Sequence, residues 1–234
     1  MDRLSDRKNA LLSAIIEQYV ATARPIGSKM LAENHDFDIS SATIRNEMKE
    51  LEDLGMITHP HTSAGRIPTE KGYRYYVEHF VNKQAKLAKK VAQAFDDFAQ
   101  QADHVVREVQ IKYMAKELAE LTSEAVLVRF GAHSFYYTGI SNIFRKPEFS
   151  DTEMIYSLSE LVDHFDDVLE MLGVTEGIDI LIGKDNPISK MCSTLVTEYG
   201  AEDNSGVIAI LGPMRMNYQQ NYGLLKHVKN LITN

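Results

Sequence analysis

Ser40 to Val77 reads SSATIRNEMKELEDLGMITHPHTSAGRIPTEKGYRYYV. Ile44, Met48 and Leu51 recur at i, i+4 and i+7, the spacing of a helix with one apolar face. Ser40 or Ser41 stands where a helix N-cap belongs, and Gly55 marks the end. The next stretch, MITHPHTSAGRIPT (Met56–Thr69), is punctuated by glycine and proline and predicts two short strands around a turn. Thr69 then caps a further helix, with Tyr73, Tyr76, Val77 and Phe80 expected on one face.

Upstream, LSDRKNALLSAIIEQYVATA (Leu4–Ala23) opens on Ser5 as an N-cap and repeats Leu11, Leu12, Ile15, Ile16, Tyr19 and Val20 at helical spacing. RPIG (Arg24–Gly27) stops that helix. Ser28 is placed to cap a short second one, KMLAEN, and HDFDIS (His35–Ser40) connects it to the third. Three helices followed by strand, turn and strand is the order of a winged helix-turn-helix. The combination carries that reading, since each element alone is common.

Downstream the pattern is helical to about Leu121, with a stripe of Leu87, Val91, Phe95, Phe98, Ala102, Val105 and Val109. Its phase drifts near Lys112, which predicts two helices with a break there. EAVLVRF (Glu124–Phe130) and SFYYTGI (Ser134–Ile140) read as strands joined by a hairpin turn at 131–133. Residues 151–172 form an amphipathic pattern, DTEMIYSLSELVDHFDDVLEML. GIDILIG (Gly177–Gly183) reads as a buried strand. CSTLVTEYG and SGVIAILG read as an antiparallel pair, and YQQNYGLLKHVKNLIT as a closing helix. Strands grouped with flanking helices make an α+β domain. The expected organisation is a winged helix-turn-helix at 1–79, a helical connector at 80–122 and an α+β domain at 123–234.

The chain has 234 residues, 44% hydrophobic and 25% charged, with net charge −8. That is ordinary globular composition with no apolar run of membrane-spanning length. The N-terminus lacks a small-residue cleavage site and reads as helix, not as a signal peptide. Cys192 is the single cysteine, so no internal disulfide or cysteine-based zinc site is possible, which fits a reducing cytoplasm. The acidity is uneven. Residues 1–79 hold 10 basic and 12 acidic side chains, residues 80–122 hold 7 and 6, and residues 123–234 hold 8 and 15. An acidic total therefore says little against nucleic-acid binding by the first part.

On the third helix, Arg45, Asn46 and Lys49 fall away from the apolar stripe, with Ala42 beside them. A recognition helix needs an apolar anchor on one side and reach to base edges on the other. Arginine can donate twice to guanine, and asparagine can exchange two bonds with adenine. Glu47, Glu50, Glu52 and Asp53 would repel phosphate wherever they faced it, so docking must use the N-terminal turns. In the turn, SAGR (Ser63–Arg66) is expected to project Arg66 from a wing, with Gly65 permitting backbone geometry other residues resist and Thr62 and Ser63 adding donors. Lys71 and Arg74 could add backbone contacts.

Other clusters carry less. His59 and His61 lack a third metal ligand nearby. Asp163, Asp166, Asp167 and Glu170 form a solvated helix face. Cys192 opens a buried strand and has no basic neighbour, so it reads as an inert thiol. ILIGKDNP lacks phosphate-loop spacing. No catalytic constellation, metal site or cofactor is expected.

RPIGSKMLAE, the long stretch Ser40–Val77, GISNIFRKPEF, ILIGKDNP and GVIAILGPMRMNY together resemble the family of heat-inducible transcription repressors called HrcA. The likeness is dense over 1–80, patchy over 81–125 and good over 137–234. It implies a repressor that binds an inverted-repeat operator in double-stranded DNA upstream of chaperone genes, a GAF-like second domain and a GroE-type chaperonin as modulating partner. It places Ser41, Thr43, Arg45, Asn46 and Lys49 on the recognition helix and Thr62, Ser63, Gly65, Arg66 and Thr69 on the wing. Ser28, Lys29, Lys71 and Arg74 are expected at the DNA backbone. The family's inserted dimerisation domain is missing, because the two strands around 131–133 follow each other directly. A homodimer must then form by another route: the 83–121 helices, the sheet, or pairing on DNA. The alternative function is a ligand-sensing or protein-interaction module whose winged helix contacts protein.

Overall fold

The structure, a computed structural model, describes residues 4–34, 37, 39–60, 65–85, 87–101, 106–131, 134–149, 172, 177–200 and 205–233. They divide into two compact units, Met1–Val81 and Asn82–Asn234.

The first unit orders α1 (Asp6–Thr22), α2 (Ser28–Asn34), α3 (Ser41–Asp53), β1 (Ile57–Thr58), β2 (Ile67–Pro68) and α4 (Glu70–Phe80). Ser5 caps α1, its hydroxyl accepting from the Lys8 amide, and Ala23 ends it in the left-handed conformation. Ser40 is the N-cap of α3, its Oγ accepting from the Thr43 amide at 3.2 Å, and Ser41 is the first helical residue. Ser28 does not cap α2 but begins it, and is buried. The core joins Leu11, Leu12, Ile15 and Ile16 of α1 to Ile26, Leu31, Ile44, Met48, Leu51, Ile57, Tyr73 and Tyr75. On α4 the most buried aromatic is Tyr75, with Tyr76 and Val77 half-buried, so the inward face is rotated from the expected one. Tyr75 reaches α1, where its hydroxyl donates to Asn9 Oδ1 at 2.9 Å and accepts from the Leu4 amide at 3.1 Å.

In the second unit, α5 (Lys89–Gln101) and α6 (Arg107–Thr122) precede β3 (Ala125–Phe130), β4 (Ser134–Thr138), α7 (Ile140–Phe144), β5 (Asp179–Ile182), β6 (Cys192–Tyr199), β7 (Gly206–Pro213) and α8 (Tyr218–Thr233). Val106 is the non-helical cap of α6, and Lys112, where a break was expected, is inside that helix. The five strands form one antiparallel sheet in the order β4-β3-β7-β6-β5, with Val126 opposite Ile210 and Thr194 opposite Leu211. β6 and β7 are buried on both faces, apart from Glu198. The class is α+β. The expected helix over 151–172 lies outside the described residues except for Leu172, which is buried. No helix among the described residues is long and apolar enough to cross a membrane.

Candidate nucleic-acid interface

Two opposite stripes run along α3. Ile44, Glu47, Met48 and Leu51 are buried, at i, i+3, i+4 and i+7. Ala42, Arg45, Asn46 and Lys49 are exposed at the same spacing on the other side. Among the described residues Arg45, Asn46 and Lys49 have no hydrogen-bond or ion-pair partner. Thr43 is half-buried beside the cap, its hydroxyl 3.0 Å from Ser40 Oγ.

The carboxylates of α3 are engaged elsewhere. Glu47, only 5% exposed, ion-pairs with Arg7, and Lys8 Nζ lies 3.8 Å from its second oxygen. Glu50 takes the same ammonium at 2.8 Å. The bond from Lys8 lowers the pKa of the Glu50 carboxyl and raises that of the Lys8 ammonium. Glu52 binds Arg66 and His59. Cations of α1 and of the wing base thus neutralise three of the four acids. Asp53 alone stays exposed on the outer stripe, one turn past Lys49 and away from the N-terminal turns. Sequence reasoning missed Glu47 as a core residue. Its position on the apolar stripe was the available signal, and its partner lies 40 residues away.

The wing departs from expectation at Arg66 and Gly65, while Thr69 caps α4 as expected. Arg66 does not project from the tip: its backbone forms a bridge with Ile26, with N–H···O distances of 2.8 Å both ways. Its guanidinium is held by Glu52 Oε2 (3.1 Å from Nε, 3.0 Å from Nη2) and by His59 Nδ1 at 3.2 Å. Gly65 has no positive φ; an added Cβ would lie 2.5 Å from the Ile26 carbonyl oxygen, so the residue serves close approach. Thr69 is the N-cap of α4, accepting from the Gly72 amide at 3.1 Å and donating to the Gly55 carbonyl at 2.6 Å. Thr62, Ser63 and His61 lie outside the described residues.

The backbone candidates also have local tasks. Lys29 is exposed at the start of α2. Lys71 Nζ donates to the Leu54 carbonyl at the end of α3, at 2.7 Å, which satisfies an orphan helix carbonyl and leaves two ammonium donors. Arg74 pairs with Glu70 one turn earlier, at 2.9 Å. In the second unit Cys192 is fully buried and burial pushes its thiol up to about 12, so it is unreactive. Among the described residues no group of His, Cys, Asp and Glu could hold a metal ion.

An exposed row of one arginine, one asparagine and one lysine beyond an N-cap, backed by an apolar anchor, can donate to base edges while the helix N-terminus faces phosphate. Comparison with known proteins agrees. The family model for the winged helix-turn-helix transcription repressor HrcA DNA-binding domain matches residues 3–80, and that for the HrcA protein C terminal domain matches residues 75–221. The heat-inducible transcription repressors HrcA of Oceanobacillus iheyensis and Natranaerobius thermophilus are each 28% identical. Those alignments cover 99% and 98% of this chain and 97% and 96% of the relatives. They run over 333 and 330 positions against 234 residues, so a large part of each relative has no counterpart here. A crystal structure described as that of a hypothetical protein shares the fold, with a TM-score of 0.83 at 21% identity, covering 99% of this chain and 98% of its own. With family models spanning both units, the chain belongs to the HrcA family and is a DNA-binding transcription repressor.

Proposed function

We propose that this repressor reads an inverted-repeat operator upstream of heat-shock chaperone genes by laying the N-terminal turns of α3 in the major groove. Residues 1–79 are the DNA-binding module, 80–122 a helical connector, and 123–234 a GAF-like regulatory or dimerising domain. Arg45 and Asn46 read base edges, Lys49 assists them, and Ser41 and Thr43 lie beside the phosphates at the helix start. Lys29, Lys71 and the wing residues Thr62 and Ser63 follow the sugar-phosphate backbone. The carrying observation is the outer stripe of α3, free of partners while three neighbouring carboxylates are neutralised from within the unit.

A two-fold operator calls for a two-fold protein. β3 and β4 are joined across residues 131–133, which leaves no room there for an inserted dimerisation domain. The homodimer therefore forms by another route. A GroE-type chaperonin is the modulating partner, and the repressor works in the cytoplasm beside the genes it controls.

The test is a gel-shift titration of an inverted-repeat duplex and a scrambled duplex at two salt concentrations. The parent chain should favour the operator. Arg45→Ala should reduce that preference by about 1–3 kcal/mol, the worth of one bidentate base contact, while changing affinity for scrambled DNA little. Equal weak binding of both duplexes by the parent would refute sequence reading and favour a protein-binding winged helix.

A further inference from the structure

Arg66 is the cation that a glycine turn would be expected to offer to phosphate, yet its fork is closed on the protein. Nε and Nη2 both meet Glu52 Oε2, and Nη1 meets His59 Nδ1. His59 Nε2 lies 3.4 Å from the other oxygen of Glu52, which closes a three-membered ring of contacts. The Arg66 side chain is 17% exposed and that of Glu52 is 26% exposed. The strand register, Ile57 with Pro68 and Thr58 with Ile67, puts His59 and Arg66 on the next rung of the wing ladder. Glu52 belongs to the last turn of α3, and the Arg66 backbone is paired with Ile26 between α1 and α2. One cluster therefore ties the recognition helix, both wing strands and the helix-turn-helix corner together.

We propose that Glu52, His59 and Arg66 form a strut that fixes the wing against α3, with Arg66 acting on operator choice as a positioning residue and not as a phosphate contact. The proposal rests on the reading of α3 as the recognition helix. An arginine paired with a carboxylate neutralises no phosphate, so it displaces no counterion when the protein binds the duplex. What it controls is the angle at which the wing meets the backbone while α3 sits in the groove. Lysine cannot replace the planar fork that spans two partners.

The experiment titrates the full chain and its variants against the operator and scrambled duplexes over a salt series, with thermal unfolding as the fold control. Arg66→Ala and Glu52→Gln are each expected to lower the operator-to-scrambled ratio about tenfold, the scale of one charge-assisted hydrogen bond. The double variant should be no worse than either single one, and the salt slope should match the parent's. Arg66→Lys should behave as Arg66→Ala does. A slope reduced by about one with equal losses on both duplexes, or a lysine variant that binds like the parent, overturns the strut. A readout without DNA separates this from failure of the DNA reading: Glu52→Gln should move the His59 ring resonances in NMR spectra. Unmoved resonances overturn the strut even where operator binding stands, and a parent with no operator preference sinks the recognition-helix reading alone.

Discussion

At the scale of single residues, one buried carboxyl of the second unit is held toward its neutral form. Glu124 is 2% exposed, just before β3. Its Oε1 accepts from Lys146 Nζ at 3.0 Å, while Oε2 is buried without a hydrogen bond. A side chain at Gly212 would strike that same oxygen, so the sheet closes over it. Burial pushes the Glu124 carboxyl up to about 7, and Lys146 only partly opposes it. The folded state thus holds this proton more tightly than the unfolded chain, whose carboxyl has the ordinary value of 4.5. Stability from this group is complete below that value and falls as pH rises through about 7; the loss is about 3 kcal/mol by linkage. Amide protection factors along β3 should therefore drop between pH 5 and pH 8, and Glu124→Gln should flatten the difference. Equal protection at the two pH values in the parent chain would refute the assignment.

Among the elements, those with a strong period were readable from the chain alone, and those joined by distant pairs were not. The outer and inner stripes of α3, the β6–β7 pair and the closing helix α8 follow from apolar spacing that the structure keeps. The break between α5 and α6 has no glycine or proline to announce it, and an expected break at Lys112 proved to be uninterrupted helix. Tyr75 packs inward because its hydroxyl finds Asn9, 66 positions earlier, a partner that local periodicity does not register. Arg66 is the sharpest case. A cation in a glycine turn looks solvent-facing, and only the cross-strand position of His59 and the return of Glu52 reveal that it is held. Gly65 makes the same point through its backbone. Gly65→Ala would press a methyl group against the Ile26 carbonyl and part the bridge between wing and corner. Overpacking of this kind costs about 1–3 kcal/mol. Hydrogen exchange should show it first at the Ile26 and Arg66 amides, which bond each other's carbonyls. Unchanged protection there would mean that the wing base yields without cost.

On the scale of the whole molecule, the proposed two-fold operator would need two copies of a chain shorter than its relatives. Large apolar side chains left exposed among the described residues are concentrated on α6 and its cap: Val106 (72%), Val109 (53%) and Tyr113 (43%), with Leu121 (40%) at the far end. Val109 and Tyr113 lie opposite the stripe of Ile111, Met114, Ala115, Leu118 and Ala119 that packs inward. Tyr113 also stacks on Phe98 of α5, so Val106 and Val109 are the barest part of the strip, and it is the surface on which the proposed homodimer would pair. Mass measurement of the operator complex should give two chains per duplex. Val109→Glu with Tyr113→Glu should abolish the cooperative advantage of the full site, since two added carboxylates from each copy would be desolvated across the pair. Binding to an isolated half-site should stay as it was, because neither substitution lies in the first unit. A single chain on the full operator, or full-site cooperativity that survives both glutamates, would move the pairing surface off α6 and onto the sheet or the DNA itself.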